Sequence, residues 1–340
     1  MMIRSAMSRT LRQSRKGLSL TAIAAAALLA LSACSGGGAP KTEQQNQGGG
    51  GGGGGAGITI AMVTHEPPGD TFWTKVHNGA DQAAKDTGVT LKYSADPDSG
   101  KQSTLVQSAI DSKVNGIATT LANPEAMAGV VKGAGDAGIP VVALNAGLDQ
   151  YQKLGALMYF GSDEAIAGEA GGKRLAALGA KHVLCPIQAA GVISLDTRCA
   201  GIKKAVPNTE TVQVNGQDDS AVTSALQAKL SQDKSIDYIV TLGAPIALDA
   251  LKAMDGSGTS AKLATFDMNT EVAQNIKDGK ILFSIDQQPY VQGYMSVVAL
   301  YLNAKNGNDL GGGKAVLTGP SFVDNTNIDK VLEYAKNNTR

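Results

Sequence analysis

From position 58 onward the chain alternates short runs of β-branched and apolar residues with longer Ala-rich stretches. The short runs fall at 58–63, 89–93, 116–120, 140–144, 157–160, 182–187, 211–214, 238–242, 263–266, 281–285 and 315–317, and each reads as a strand. Helical patterns lie between them. Phe72, Val76, Ala80 and Ala84 recur every four residues and stop at Gly88. Leu105, Val106, Ala109 and Ile110 form a second apolar stripe. Asn123-Pro124 reads as an N-cap followed by an N1 proline, opening a helix that ends near Gly138. Repeated strand–helix units of this length predict an α/β fold with parallel sheets and helices on both faces. Eleven strands exceed what one compact open sheet usually holds, so two α/β lobes are expected.

Polar residues follow most of these strands. Asp70, Asp96, Asn123 and Asn145 follow the first four, and Ser162 and Gln188 the fifth and sixth. Asp267 and Asn269 follow the ninth, and Gln287 the tenth. In open α/β sheets, ligands bind beyond the carboxyl ends of the strands. Each of these residues alone suits a helix cap, as Asn123 before Pro124 and Ser162 before an Ala-rich stretch do. As a set, in two facing lobes, they would line one cleft with hydrogen-bonding groups.

The densest candidate is Thr64-His65-Glu66-Pro67-Pro68-Gly69-Asp70-Thr71-Phe72-Trp73. A strand ends, two prolines and a glycine shape a turn, and two aromatics open a helix. Neighbouring helical side chains point about 100° apart, so one aromatic can join the core while the other faces the cleft. An aromatic face suits the C–H face of a sugar ring, and surrounding carboxylates, amides and guanidinium suit its hydroxyls.

The start of the chain has a different character. Arg4, Arg9, Arg12, Arg15 and Lys16 precede an Ala/Leu run at 18–31, with no acidic residue in the first 33. That run is shorter than the ~20 residues needed to span a bilayer, and the pattern is that of a secretion signal over 1–33. Leu31-Ser32-Ala33-Cys34 resembles the lipobox of bacterial lipoproteins, in which the cysteine is lipidated and becomes the mature N-terminus. Residues 34–57 are Gly-rich, with eight consecutive glycines at 48–55, and this composition predicts a flexible tether. Removing the leader leaves 25 Lys and Arg against 30 Asp and Glu, with no basic block of the kind that binds nucleic acid. Once Cys34 is set aside, Cys185 and Cys199 remain. In an oxidising compartment such a pair either bridges or stays as two buried thiols.

Several chemistries find no support. None of the three histidines, His65, His77 and His182, has a second histidine at helical spacing, and no metal is expected. No G-x-S-x-G elbow or Walker A motif occurs. Gly133-Ala134-Gly135-Asp136-Ala137-Gly138 matches G-x-G-x-x-G, but it closes a helix instead of opening one, the reverse of a dinucleotide loop. No cofactor and no catalytic residue are assigned.

The segment Phe72-Trp73, Val76 and Gly79-Ala80 looks like the first helix of type I periplasmic sugar-binding proteins, the ribose- and galactose-binding group that serves ABC importers. The resemblance runs on through Asn115-Gly116-Ile117, Asn123-Pro124, Gly138-Ile139-Pro140, Gly161-Ser162-Asp163, Arg198-Cys199-Ala200-Gly201, Thr265-Phe266-Asp267 and Ile285-Asp286-Gln287-Gln288-Pro289. It implies two Rossmann-like lobes joined by a three-stranded hinge, with 58–162 plus 288–317 in one lobe and 163–287 plus 318–340 in the other. The crossings are expected near Ser162, Gln287 and Thr318. By position, it implies ligand contacts at Asp70, Phe72, Trp73, Asn123, Asn145, Arg198, Asp267 and Gln287. Two positions depart from the group: Asn145-Ala146 stands where ribose binders often have Asp-Arg, and Ala244 where Asn or Asp is common. A bridged Cys185 and Cys199 would pin the helix of Arg198 to the preceding strand. The resemblance thus implies a monomeric, lipid-anchored extracytoplasmic receptor, not an enzyme, that delivers a small neutral sugar or polyol to an ABC permease. Two alternatives stay open at this point, a sugar sensor for chemotaxis or signalling and an exported carbohydrate-active enzyme.

Overall fold

The computed structural model describes residues 54–340; the leader at 1–33, Cys34 and most of the Gly-rich stretch 34–57 lie outside the described residues. The first half runs β1 (Thr59–Thr64), α1 (Thr71–Thr87), β2 (Thr90–Ala95), α2 (Ser99–Asp111), β3 (Gly116–Thr120), α3 (Pro124–Asp136), β4 (Val141–Asn145), α4 (Tyr151–Leu154) and β5 (Met158–Ser162). The second runs α5 (Glu164–Ala177), β6 (Val183–Ile187), α6 (Ile193–Ala205), β7 (Thr209–Gln213), α7 (Asp219–Gln232), β8 (Tyr238–Thr241), α8 (Ala244–Ser257), β9 (Lys262–Phe266), α9 (Thr270–Lys277) and β10 (Ile281–Asp286). Last come α10 (Pro289–Asn306), β11 (Val316–Gly319), β12 (Ser321–Asp324) and α11 (Ile328–Lys336).

The strands form two six-stranded sheets, ordered β11-β5-β4-β3-β1-β2 and β12-β10-β9-β8-β6-β7. All pairs are parallel except β12, which runs antiparallel along the edge of β10. β3, β4, β5 and β6 are buried along their whole length, as expected for strands covered by helices on both faces. The two sheets share one strand order, so β4 and β9 occupy equivalent places, as do β1 and β6. The chain crosses between the sheets three times: after β5, between β10 and α10, and between β11 and β12. Gln288 donates to the carbonyl of Thr318 and Thr318 Oγ1 to that of Gln287, both at 2.6 Å, which binds the second and third crossings together.

Twelve strands are present among the described residues where eleven were expected. The additional one is β12, a strand of four residues that starts directly after Pro320, too short to show a periodicity. Ser162 was expected to suit a helix cap; it is instead the last residue of β5, and the cap of α5 is Asp163, which accepts the Ile166 N–H at 2.9 Å. A carboxylate accepts from a helix N-terminus more strongly than a hydroxyl does, and here it stands one residue closer to the helix.

Two helix contacts depend on missing side chains. A Cβ on Gly79 of α1 would lie 2.0 Å from the carbonyl oxygen of Tyr290 on α10. One on Gly168 of α5 would lie 2.3 Å from the carbonyl oxygen of Arg198 on α6. The second contact lets α6 approach α5 closely enough for their side chains to pair, and it fixes the site described next.

Candidate functional site

Between the carboxyl ends of the two sheets lies a cleft of about 620 Å³. The first sheet contributes His65, Pro67, Pro68, Asp70, Phe72, Trp73 and Asn145 to its walls. The second contributes Gln188, Arg198, Gly243, Asp267 and Gln287 among others. Seven of the eight expected contact residues therefore meet here. Asn123 does not line the cleft: its side chain caps α3, accepting the Ala126 N–H at 3.2 Å.

Asp70 caps α1 by accepting the Phe72 N–H at 2.9 Å. That cap aims the first turn of α1, and hence Phe72 and Trp73, at the cleft. The two rings meet edge to face with centroids 5.1 Å apart, and both belong to the apolar core as well as the cleft wall. The expectation that one would serve the core and the other the cleft is too strict, because a large ring buried at a cleft wall does both.

Asn145 ends β4 and Asp267 directly follows the equivalent β9, and both adopt left-handed backbone, with φ of +65° and +61°. Asn and Asp tolerate this conformation better than other side-chain-bearing residues, and non-glycine residues held there cluster at functional sites. A polar chain joins the two positions across the cleft. Asn145 Nδ2 donates to Gln287 Oε1 at 3.2 Å, and Gln287 Nε2 donates to Asp267 Oδ1 at 2.9 Å. Asp267 Oδ2 lies 3.8 Å from Arg198 Nη1. Arg198 in turn donates through Nε and Nη2 to the two oxygens of Glu164, at 2.5 and 3.1 Å, and through Nη1 to the carbonyl of Leu242 at 3.1 Å. Its guanidinium stacks 4.6 Å above the Phe266 ring. Three of its five N–H groups are thus taken by protein and two remain.

Electrostatics follow from burial. Burial opposes the Arg198 charge, but Glu164 and Asp267 outweigh it and hold the guanidinium above its ordinary value. Burial pushes Asp267 up to about 7, against the pull of Arg198. Burial also raises Asp70, and it lowers Lys75, whose ammonium donates from α1 to the carbonyl of Met268, just past β9.

Cys185 on β6 and Cys199 on α6 are bridged, so the helix that carries Arg198 is tied covalently to the strand before it. At Ala244 the wall has no added polar group; Gly243, Pro245 and Ile246 line it there. Reading the sequence missed Glu164 and Lys75, and it left His65 out of the contact set although His65 lines the cleft. Glu164 looks like an ordinary acidic residue in a first helical turn, and only the glycine contact between α5 and α6 reveals its partner. The closest three-residue His/Asp/Glu group elsewhere among the described residues is His182, Glu210 and Asp233. The Lys229 ammonium already sits 2.9 Å from Glu210 there, which supplies the positive charge a metal would bring.

A model described as a periplasmic binding protein domain matches residues 60–309. The fold superimposes with a TM-score of 0.82 on a carbohydrate transporter from Acidothermus cellulolyticus 11B in complex with myo-inositol, at 50% identity over 83% of this chain and 99% of that one. An ABC sugar transporter protein from Legionella pneumophila, a periplasmic sugar-binding protein, is 27% identical over 77% of this chain and 99% of its own, with a TM-score of 0.71. The xylose/arabinose-binding protein XylF of Sulfolobus acidocaldarius is 28% identical; the match takes in 67% of this chain and 61% of that protein.

Proposed function

The chain belongs to the periplasmic binding protein family, and from that premise we propose that it captures a small neutral polyhydroxylated ring and passes it to an ABC importer. The ring is a cyclitol of the myo-inositol kind or a sugar of similar size. The observation that carries this reading is the polar chain Asn145–Gln287–Asp267–Arg198–Glu164, which spans both sheets beside an aromatic wall. Its members alternate donors and acceptors, as a ring of hydroxyls requires. Arg198 and Glu164 neutralise each other, so the strongest charge in the cleft is spent on positioning and not on an anionic ligand. The half-identical structure that holds myo-inositol supports a cyclitol over an open-chain ligand.

The protein acts by binding, not by chemistry. Residues 58–162 with 288–317 form one lobe of the device and 163–287 with 318–340 the other; they close on the ligand about the three crossings. Closure is favoured when a ligand touches both walls, because only the closed form satisfies both sets of contacts. A lipid on Cys34 anchors the protein outside the cytoplasmic membrane, the stretch 34–57 tethers it, and it works as a monomer; the sequence Leu31-Ser32-Ala33-Cys34 supports the anchor.

Thermal unfolding with myo-inositol, ribose, arabinose and xylose tests the reading. Myo-inositol should raise Tm more than the pentoses, and Asp267→Ala and Gln287→Ala should each abolish that rise. Equal rises in both variants would remove the site, and no rise with any of the four would remove the ligand class.

A further inference from the structure

His65 lines the cleft, and its surroundings decide which of its ring nitrogens carries the proton. Gln102 is buried behind it, with the side-chain nitrogen 3.0 Å from the carbonyl oxygen of Thr120. A carbonyl oxygen only accepts, so this amide atom must be the NH2. The same NH2 lies 2.8 Å from Thr120 Oγ1 and donates its second hydrogen there. The backbone N–H of His65 donates to Thr120 Oγ1 as well, at 3.1 Å. A hydroxyl accepts two hydrogen bonds and donates one. With both acceptor places filled, the Thr120 hydrogen goes to its remaining neighbour, His65 Nδ1, at 2.8 Å. Nδ1 is therefore the accepting nitrogen, and the proton of the neutral ring sits on Nε2.

Nε2 has no hydrogen-bond partner among the described residues, while Trp73 holds the ring edge-on at a centroid distance of 4.9 Å. Burial and the nearby Arg198 push the imidazole down to about 4, so the ring is neutral at physiological pH. The other titratable groups that line the cleft with it are Asp70 on the same loop and Arg198, Asp219 and Asp267 from the opposite wall.

We propose that His65 is a specificity-determining residue that presents Nε2–H as a fixed donor to one ligand oxygen, its direction set by Thr120 and Gln102. The proposal rests on the reading of the cleft as a site for a polyhydroxylated ring. Around His65 the ligand meets carboxylates at Asp70 and Asp267, which only accept when ionised. A hydroxyl facing His65 must offer a lone pair, and a C–H or an ammonium there finds no partner. A site built to bond a particular hydroxyl discriminates strongly against the analogue lacking it.

Two measurements on the full chain test this. The first needs no ligand: nitrogen-15 NMR of the histidine rings. His65 should show a protonated Nε2 and a bare Nδ1 from pH 5.5 to 8, and Thr120→Val should disturb that preference. A wild-type His65 protonated on Nδ1 would overturn the proposal whatever the protein binds. The second is calorimetry with myo-inositol and its monodeoxy derivatives. His65→Phe should weaken myo-inositol by roughly tenfold or more, yet leave unchanged the affinity for one monodeoxy compound, the one lacking the contacted hydroxyl. His65→Gln, which keeps an N–H, should recover part of the loss. Equal weakening of every derivative in His65→Phe would mean a packing role and overturn the proposal. Failure of the wild-type protein to bind myo-inositol would count against the ligand class, and the NMR result would then decide the proposal by itself.

Discussion

The two walls of the cleft are held in different ways. The wall from the first sheet presents shape: Phe72 and Trp73 are fixed by packing in the core and by the Asp70 cap. The wall from the second sheet presents direction: Arg198 is fixed by a two-pronged ion pair with Glu164, a carbonyl, an aromatic face and a disulfide one residue away. Apolar contact is non-directional, so burial alone can hold an aromatic wall. A buried charge must be paired as well as packed, because an unpaired one costs several kcal/mol. Shape therefore comes cheaply from the core, whereas a buried donor array needs dedicated supports.

The largest test of this contrast is Glu164→Ala. Both members of the pair are buried, with side-chain exposures of 4% for Arg198 and 8% for Glu164. Removing one partner of such a pair costs about 3–5 kcal/mol. Chemical denaturation should show a loss of that order for Glu164→Ala and a smaller one for Trp73→Phe, which keeps an apolar ring in place. A loss below about 1 kcal/mol for Glu164→Ala, the range of an exposed pair, would mean that water already reaches Arg198 and that the walls do not differ as described.

The disulfide offers a second, smaller test. It closes a loop with a sequence separation of 14, for which the chain-entropy model gives about 3 kcal/mol. The double variant Cys185→Ala and Cys199→Ala should lower stability by up to that amount. Hydrogen exchange should quicken in β6 and α6 while β1 and α1 keep their protection. Equal quickening in both sheets would show that the bridge supports the whole molecule and not one wall.

The same contrast explains what the sequence discloses. Strand runs such as 116–120 and 140–144 are legible because a parallel sheet covered on both faces needs continuous apolar segments. Asp70, Asn145, Asp267 and Gln287 are legible as cleft-lining residues because the crevice in this architecture lies just past strand ends. Asn123 obeys the same positional rule yet serves as a cap, since a strand end is also a helix start and the two uses share residue types. Glu164 is illegible because its role depends on a partner 34 positions away, brought near by glycines whose effect appears only in three dimensions. β12 is illegible because four edge residues carry too little pattern.

The smallest expected effect is the most selective, because it touches one proton. Burial raises Asp267 to about 7, while an ordinary Asp titrates near 4. A folded-state value above the unfolded one means that folding takes up a proton between about pH 4 and 7. Stability of the empty protein from this residue is thus fully present at low pH and is lost as pH rises through 7. Ligand binding should run the other way. A hydroxyl that donates to Asp267 needs the ionised carboxylate, so affinity should fall by up to about tenfold for each pH unit below 7. Asp70 is also raised by burial, so wild-type data alone would mix the two walls. Asp267→Asn separates them: calorimetry with myo-inositol from pH 5 to 8 should give weaker binding and a flatter profile in this variant. His65, lowered to about 4, contributes no slope in that window. A wild-type affinity that stays constant between pH 5 and 8 would show that Asp267 is ionised throughout, with Arg198 and not burial governing its charge.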